Sequence, residues 1–104
     1  MNILHSRKNE YIICYDITNN KLRTKIEKML KNYGIRIQYS IFDCKISPEV
    51  YKNELNLKLK ALSKNEKFIK ESDSILIFNL CGSCYKKVRA YGNNKLRKQN
   101  YFIV

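Results

Sequence analysis

Two stretches of this chain, "YIICY" at Tyr11 to Tyr15 and "SILIFNL" at Ser74 to Leu80, are nearly continuous apolar runs of strand length. Such runs read as strands covered on both faces. The remaining sequence supplies only two amphipathic helices to do the covering. In the first, Leu22, Ile26, Met29, Leu30 and Tyr33 fall at i, i+4, i+7, i+8 and i+11, with Asn19 or Asn20 as N-cap and Gly34 as the stop. The second opens at "SPE", Ser47 to Glu49, with Ser as N-cap, Pro at the first helical position and an acid in the first turn. Its stripe is Tyr51, Leu55, Leu59 and Leu62, and it ends near Ser63. Two helices can cover one face of a small sheet, so the other face calls for a second copy of the chain.

Between the helices, "IRIQYSIFDCKI" predicts two short antiparallel strands joined by a tight turn or bulge. "KNEKFIKESD" reads as a charged connection, "CGSCYKKVRAYGNN" as a turn with a short helical segment, and the apolar "QNYFIV" as a terminal strand docked on something. The order β α β β α β plus a terminal strand fits an α+β fold, a ferredoxin-like α/β sandwich. At 104 residues the chain is expected to form a single domain spanning 1–104 and to homodimerise by sheet-to-sheet packing.

Charge narrows the partners. With 21 Lys and Arg against 9 Asp and Glu, the net charge is +12, which points to a polyanion, nucleic acid before membrane. The basic residues are spread over several segments rather than one amphipathic helix, and no apolar run approaches a membrane span. "MNILHSRKNE" lacks the apolar centre of a signal peptide, so the expectation is a cytoplasmic protein with reduced cysteines.

The residues that could carry chemistry are few. Asp16 closes the first strand, where it could meet the dipole of the following helix, or could join its symmetry mate across a dimer axis to hold a hard cation such as Mg²⁺. Arg23 and Lys25 in the first helix and Arg36 before the second strand are either a solvated face or a phosphate-binding set. Tyr15, Tyr39 and Phe42 are core residues or stacking surfaces for an unpaired base. Cys81 and Cys84 form a C-x-x-C pair, but zinc requires about four ligands. The one histidine, His5, lies far away near the N-terminus, and Cys14 and Cys44 are expected inside strands. Gly-rich phosphate loops, Ser-His-Asp sets and H-E-x-x-H motifs are absent from the sequence.

"YDI" closing the first strand, "LRTKI" in the first helix and "YGIRIQYSIF" leading into the next strands resemble, in that order, the CRISPR-associated protein 2 family, and the resemblance continues through "DSILIFNLCGSC". It implies a ferredoxin-like fold, a symmetric dimer packed sheet against sheet, and partnership with the CRISPR integrase in spacer acquisition. It implies a metal-linked Asp at Asp16, with divalent cations other than Mg²⁺ also possible. It further implies a link to nuclease activity or nucleic-acid contact for Tyr15, Arg23, Arg36 and Phe42. Lys25 stands where some members carry Arg, keeping the charge but not the planar fork. Some members are Mg²⁺-dependent endonucleases on single-stranded RNA or on DNA, while others are non-catalytic scaffolds that bridge integrase dimers and bind spacer DNA.

Overall fold

The computed structural model describes residues 8–80 and 87–92. The chain forms β1 (Asn9–Asp16), α1 (Asn20–Leu30), β2 (Ile35–Gln38), β3 (Ile41–Ile46), α2 (Pro48–Val50), a π turn (Tyr51–Leu55), α3 (Asn56–Ser63), β4 (Ser74–Asn79) and β5 (Lys87–Gly92). The α2 segment, the π turn and α3 follow without a break, so the described order is βαββαββ. The sheet is antiparallel in the order β2-β3-β1-β4-β5, which places both long apolar strands, β1 and β4, in the interior.

Helix boundaries follow local chemistry. The Asn19 side chain accepts the Leu22 N–H, capping α1, and the Gly34 N–H closes on the Leu30 carbonyl. Ser47 caps α2 by accepting the Val50 N–H, with Pro48 at the first helical position. Leu22, Ile26 and Leu30 of α1 and Leu55, Leu59 and Leu62 of the second helical rod are all buried against Tyr11, Ile13, Tyr15, Phe42, Cys44, Ile75 and Ile77. Both helices therefore lie on one face of the sheet. The π turn brings Tyr51 flat onto Tyr11, ring centroids 4.3 Å apart and 8° from parallel. Just beyond it, Asn56 Oδ1 accepts from the hydroxyls of Tyr51 and Tyr91.

The expected hairpin is present, with a register shift between Arg36 and Gln38 and with Ser40 at φ 85° in its turn. One expectation is corrected. Lys87–Gly92, read from sequence as part of a turn with a short helical segment, is a strand paired with the whole of β4. Its backbone completes the free side of β4, and a long-range ladder overrides a weak local helical signal. The C-x-x-C pair and the "QNYFIV" strand lie outside the described residues.

Alternation puts Ile12, Cys14 and Asp16 of β1, Ile41 and Asp43 of β3, and Leu76 and Phe78 of β4 on the opposite face. Neither described helix covers it. On this mostly apolar surface two carboxylates meet. The Glu10 carboxyl is raised above its usual range by hydrogen bonding to Asp43, by burial and by the charge of Asp43, while Lys45 works against the shift. Asp43 Oδ1 is buried with no hydrogen-bond partner among the described residues.

Candidate nucleic-acid and metal site

Asp16 ends β1 opposite Ser74, and its side chain is exposed. It makes no hydrogen bond or ion pair with a described residue. The capping of α1 falls to Asn19 instead. The acid that ties the loop after β1 to the body is Asp73, which is fully buried. Its Oδ1 accepts from the Thr18 N–H at 3.0 Å and the Thr18 hydroxyl at 2.8 Å, and its Oδ2 from the Ile69 N–H at 2.9 Å.

Arg23 folds back over the same loop. Its Nη1 donates to the Ile17 carbonyl at 2.8 Å and its Nη2 to the Asn20 side chain. A guanidinium thus lies beside the segment that directly follows Asp16. The loop is held from two sides, by Asp73 and by Arg23, and Asp16 is left free at its start.

Tyr15, Arg36 and Phe42 come together on the helix-facing side, through a residue the sequence reading did not single out. Glu27 accepts the Tyr15 hydroxyl at 2.9 Å and pairs with Arg36 at 3.0 Å. The Arg36 guanidinium lies 5.6 Å from the centre of the Phe42 ring, and the Tyr15 and Phe42 rings are 6.3 Å apart. Phe42 is fully buried and Tyr15 only 4% exposed, so in this chain both rings are core, and neither presents a face for a base to stack on. Tyr39, in the hairpin turn, is 83% exposed. Burial, then the Glu27 hydrogen bond and charge, push the Tyr15 phenol up to about 12. The signal for Glu27 was available: it is the one acid in "NKLRTKIEKML". Lys25 is exposed on α1 and borders a groove between α1 and α3. It does not join the Tyr15, Arg36 and Phe42 cluster.

Glu27→Gln tests this cluster. The ion pair is partly exposed, so the loss of stability is expected to stay within about 1 kcal/mol. The difference ultraviolet titration against wild type should show one phenol ionising at lower pH, because the charge opposing Tyr15 ionisation is gone while its burial remains. An unchanged tyrosine titration would refute the coupling.

The two cysteines among the described residues are quenched. Burial raises the thiols of Cys14 and Cys44, the latter to about 12 with help from Asp43. Among the described residues no three His, Cys, Asp or Glu side chains gather as a metal cluster. Among the described residues, Asp16 is an exposed carboxylate at a strand end with no hydrogen bond or ion pair, and its oxygen donors suit Mg²⁺. No helix among the described residues is long and apolar enough to cross a membrane.

Comparison with known proteins agrees with this arrangement. Residues 9–88 match the family model described as CRISPR associated protein Cas2. The chain is 37% identical over 83 residues to CRISPR-associated endoribonuclease Cas2 1 of Chloroflexus aurantiacus, covering 80% of this chain and 84% of the relative. It is 34% identical over 88 residues to CRISPR-associated endoribonuclease Cas2 3 of a Synechocystis species, covering 85% and 89%. Among solved structures, hypothetical protein TT1823 from Thermus thermophilus superposes with a TM-score of 0.59 at 28% identity, covering 72% of this chain and 84% of the other. A chain of a partial Cas6-RT-Cas1–Cas2 complex superposes with a TM-score of 0.58 at 28% identity, covering 73% and 82%. With the strand-closing Asp16, the basic balance and the βαββαββ sheet in place, this chain belongs to the Cas2 family of CRISPR-associated proteins.

Proposed function

We propose that two copies of this chain pack their open sheet faces together as a ferredoxin-like homodimer in the cytoplasm, and that the dimer hydrolyses phosphodiester bonds in single-stranded RNA or in DNA during CRISPR spacer acquisition. The carrying observation is Asp16: an exposed carboxylate at the end of a central strand, on the face that neither described helix covers, with the capping and bracing roles taken by Asn19 and Asp73. The half-buried apolar side chains Ile12, Ile41 and Phe78 on that face support its burial in a dimer.

In this reading the Asp16 carboxylates of the two protomers provide the protein ligands for Mg²⁺, with water and phosphate oxygens completing the shell. A divalent ion bound there supplies water activation and charge neutralisation at phosphorus. Arg23, anchored on the Ile17 carbonyl, sits beside the Asp16 loop and offers its positive charge to a phosphate. Arg36 offers its charge to the nucleic-acid backbone from the helix-facing side of β2, held in place by Glu27 and by the Phe42 ring. Tyr15 and Phe42 act through Arg36 and Glu27 rather than by touching substrate, and Lys25 adds charge along α1. The names of the relatives support an endoribonuclease.

Asp16→Ala is the test. Metal-dependent cleavage should fall by about 10²–10³-fold, the scale of removing a main electrostatic stabiliser, with the dimer intact by sedimentation. Activity that survives the substitution belongs to a contaminant. The second reading, a non-catalytic scaffold that bridges integrase dimers and binds spacer DNA, is favoured by the likeness to a chain of a Cas1–Cas2 assembly. Under it, Asp16→Ala leaves spacer integration unchanged while reversal of several Lys and Arg charges abolishes it.

A further inference from the structure

On the side of the molecule away from the open sheet face, α1 and α3 leave a groove of ≈ 480 Å³. That volume lies within the range of about 300–1,000 Å³ typical of ligand sites. Lys25 and Lys28 of α1 line it from one side and Lys58 of α3 from the other, and Met29, Ala61 and Leu62 supply its apolar surface. Lys58 is held in place: its ammonium donates to the Tyr33 hydroxyl at 2.6 Å and lies 5.0 Å from the centre of that ring. Asn65, also lining the groove, uses its amide oxygen to accept the Lys67 N–H, which leaves its amide nitrogen as the hydrogen-bonding group it can offer a ligand. Donors and positive charge around an aliphatic base select a ligand that is acidic and apolar at once.

We propose that this groove docks an acidic amphipathic segment of a protein partner, with apolar side chains seated on Met29, Ala61 and Leu62 and carboxylates reaching Lys25, Lys28 and Lys58. Two alternatives fit the lining less well. A single-stranded nucleic acid binds by stacking bases on aromatic rings, and the residues lining the groove include none. A duplex backbone engages lysines but leaves an aliphatic depression uncovered. A helix laid between two helices uses anchors at i, i+3, i+4 and i+7. From Lys25 to Leu30, the end of α1, the groove follows the helix for roughly 7.5 Å at 1.5 Å per residue, and Asn32 lines it in the turn beyond, which matches about one and a half turns of such a segment. Met29, with its flexible thioether, adapts to the side chains it meets. The groove lies across the sheet from Asp16, so a partner held there leaves the proposed dimer face and Asp16 free, and of the charges offered to nucleic acid it takes only Lys25. This proposal does not depend on cleavage.

The test uses the full chain and three fluorescent probes in anisotropy titrations. They are a Glu- and Leu-patterned amphipathic peptide of about four helical turns, the same peptide with Gln for Glu, and an oligothymidylate. Wild type should bind the acidic peptide, more weakly as salt rises, and bind the Gln peptide at least about tenfold less tightly. Ala61→Arg fills the groove with a good helix former at an exposed position while adding positive charge. It should weaken the acidic peptide at least about tenfold and leave oligothymidylate binding equal or slightly tighter. Lys25→Gln with Lys28→Gln, which leaves the groove open, should also weaken the peptide and flatten its salt dependence. No peptide binding by wild type, peptide binding indifferent to Ala61→Arg, or loss of oligothymidylate binding in that variant would each overturn the proposal, the last by making the groove a nucleic-acid site.

Discussion

Asp73→Ala is expected to destabilise the fold by about 4 kcal/mol, a large share of the roughly 5–15 kcal/mol available to a domain of this size. The carboxylate is fully buried, and removing it strands the backbone N–H groups of Thr18 and Ile69 as well as the Thr18 hydroxyl. Each stranded donor costs about 1–3 kcal/mol. The urea midpoint, with an unchanged slope, reads the loss directly. Burial alone would raise this carboxyl; the donors from Ile69, Thr18 and Ser72 outweigh it and hold the carboxyl below its ordinary value of 3.8. The folded state therefore binds fewer protons than the unfolded state. The contribution of Asp73 is fully present above pH 3.8 and is lost as pH falls through the lowered folded value. Asp73→Asn should flatten that acid limb of the stability curve while keeping part of the hydrogen bonding. A midpoint for Asp73→Ala within 1 kcal/mol of wild type would contradict the bracing role.

Gly34→Ala is expected to cost about 3 kcal/mol or more, lowering Tm by on the order of 15 °C. The reason is close approach. A Cβ at this position would press into the Asp43 carbonyl oxygen and stand 2.7 Å from the Cys44 Cα, all of it backbone of β3. Backbone in the interior of a sheet cannot rotate aside as a flexible side chain can. Relief requires moving the start of β2 away from β3, at the pair Ile35 and Asp43. A Gly34→Ala protein with wild-type Tm would show that the hairpin has room to give.

Much of the fold was legible because periodicity and caps act locally. The stripes of α1 and of the Pro48–Ser63 rod, the Ser47 cap and the hairpin after Gly34 all stand where the sequence puts them. Lys87–Gly92 was not legible. "KVRAYG" holds no apolar run, and what makes it a strand is the ladder to β4 and the Tyr91 hydroxyl on Asn56, neither of which a sequence window contains. Asp73 was hidden for a similar reason: within "KNEKFIKESD" it looks like one more surface charge, and its main partner, Thr18, lies 55 positions away. Asp16 could be read as an acid closing a strand. That its side chain is left without a structural task became visible only once Asn19 and Asp73 were seen to hold the tasks it might have had.

The π turn at Tyr51–Leu55 bears on how this chain can change in length over generations. A π turn is one residue longer than the α-helical path it replaces. Losing a single residue among the exposed Lys52, Asn53 and Glu54 would restore a regular helix with Tyr51 still on the face of Leu59 and Leu62, whereas gaining one more would turn everything before it by about 100°. After such a gain Tyr51 would swing off Tyr11. Substitutions and the loss of one residue are therefore tolerated in this stretch, whereas a further one-residue insertion is expected to be purged, so relatives should carry it at this length or one residue shorter.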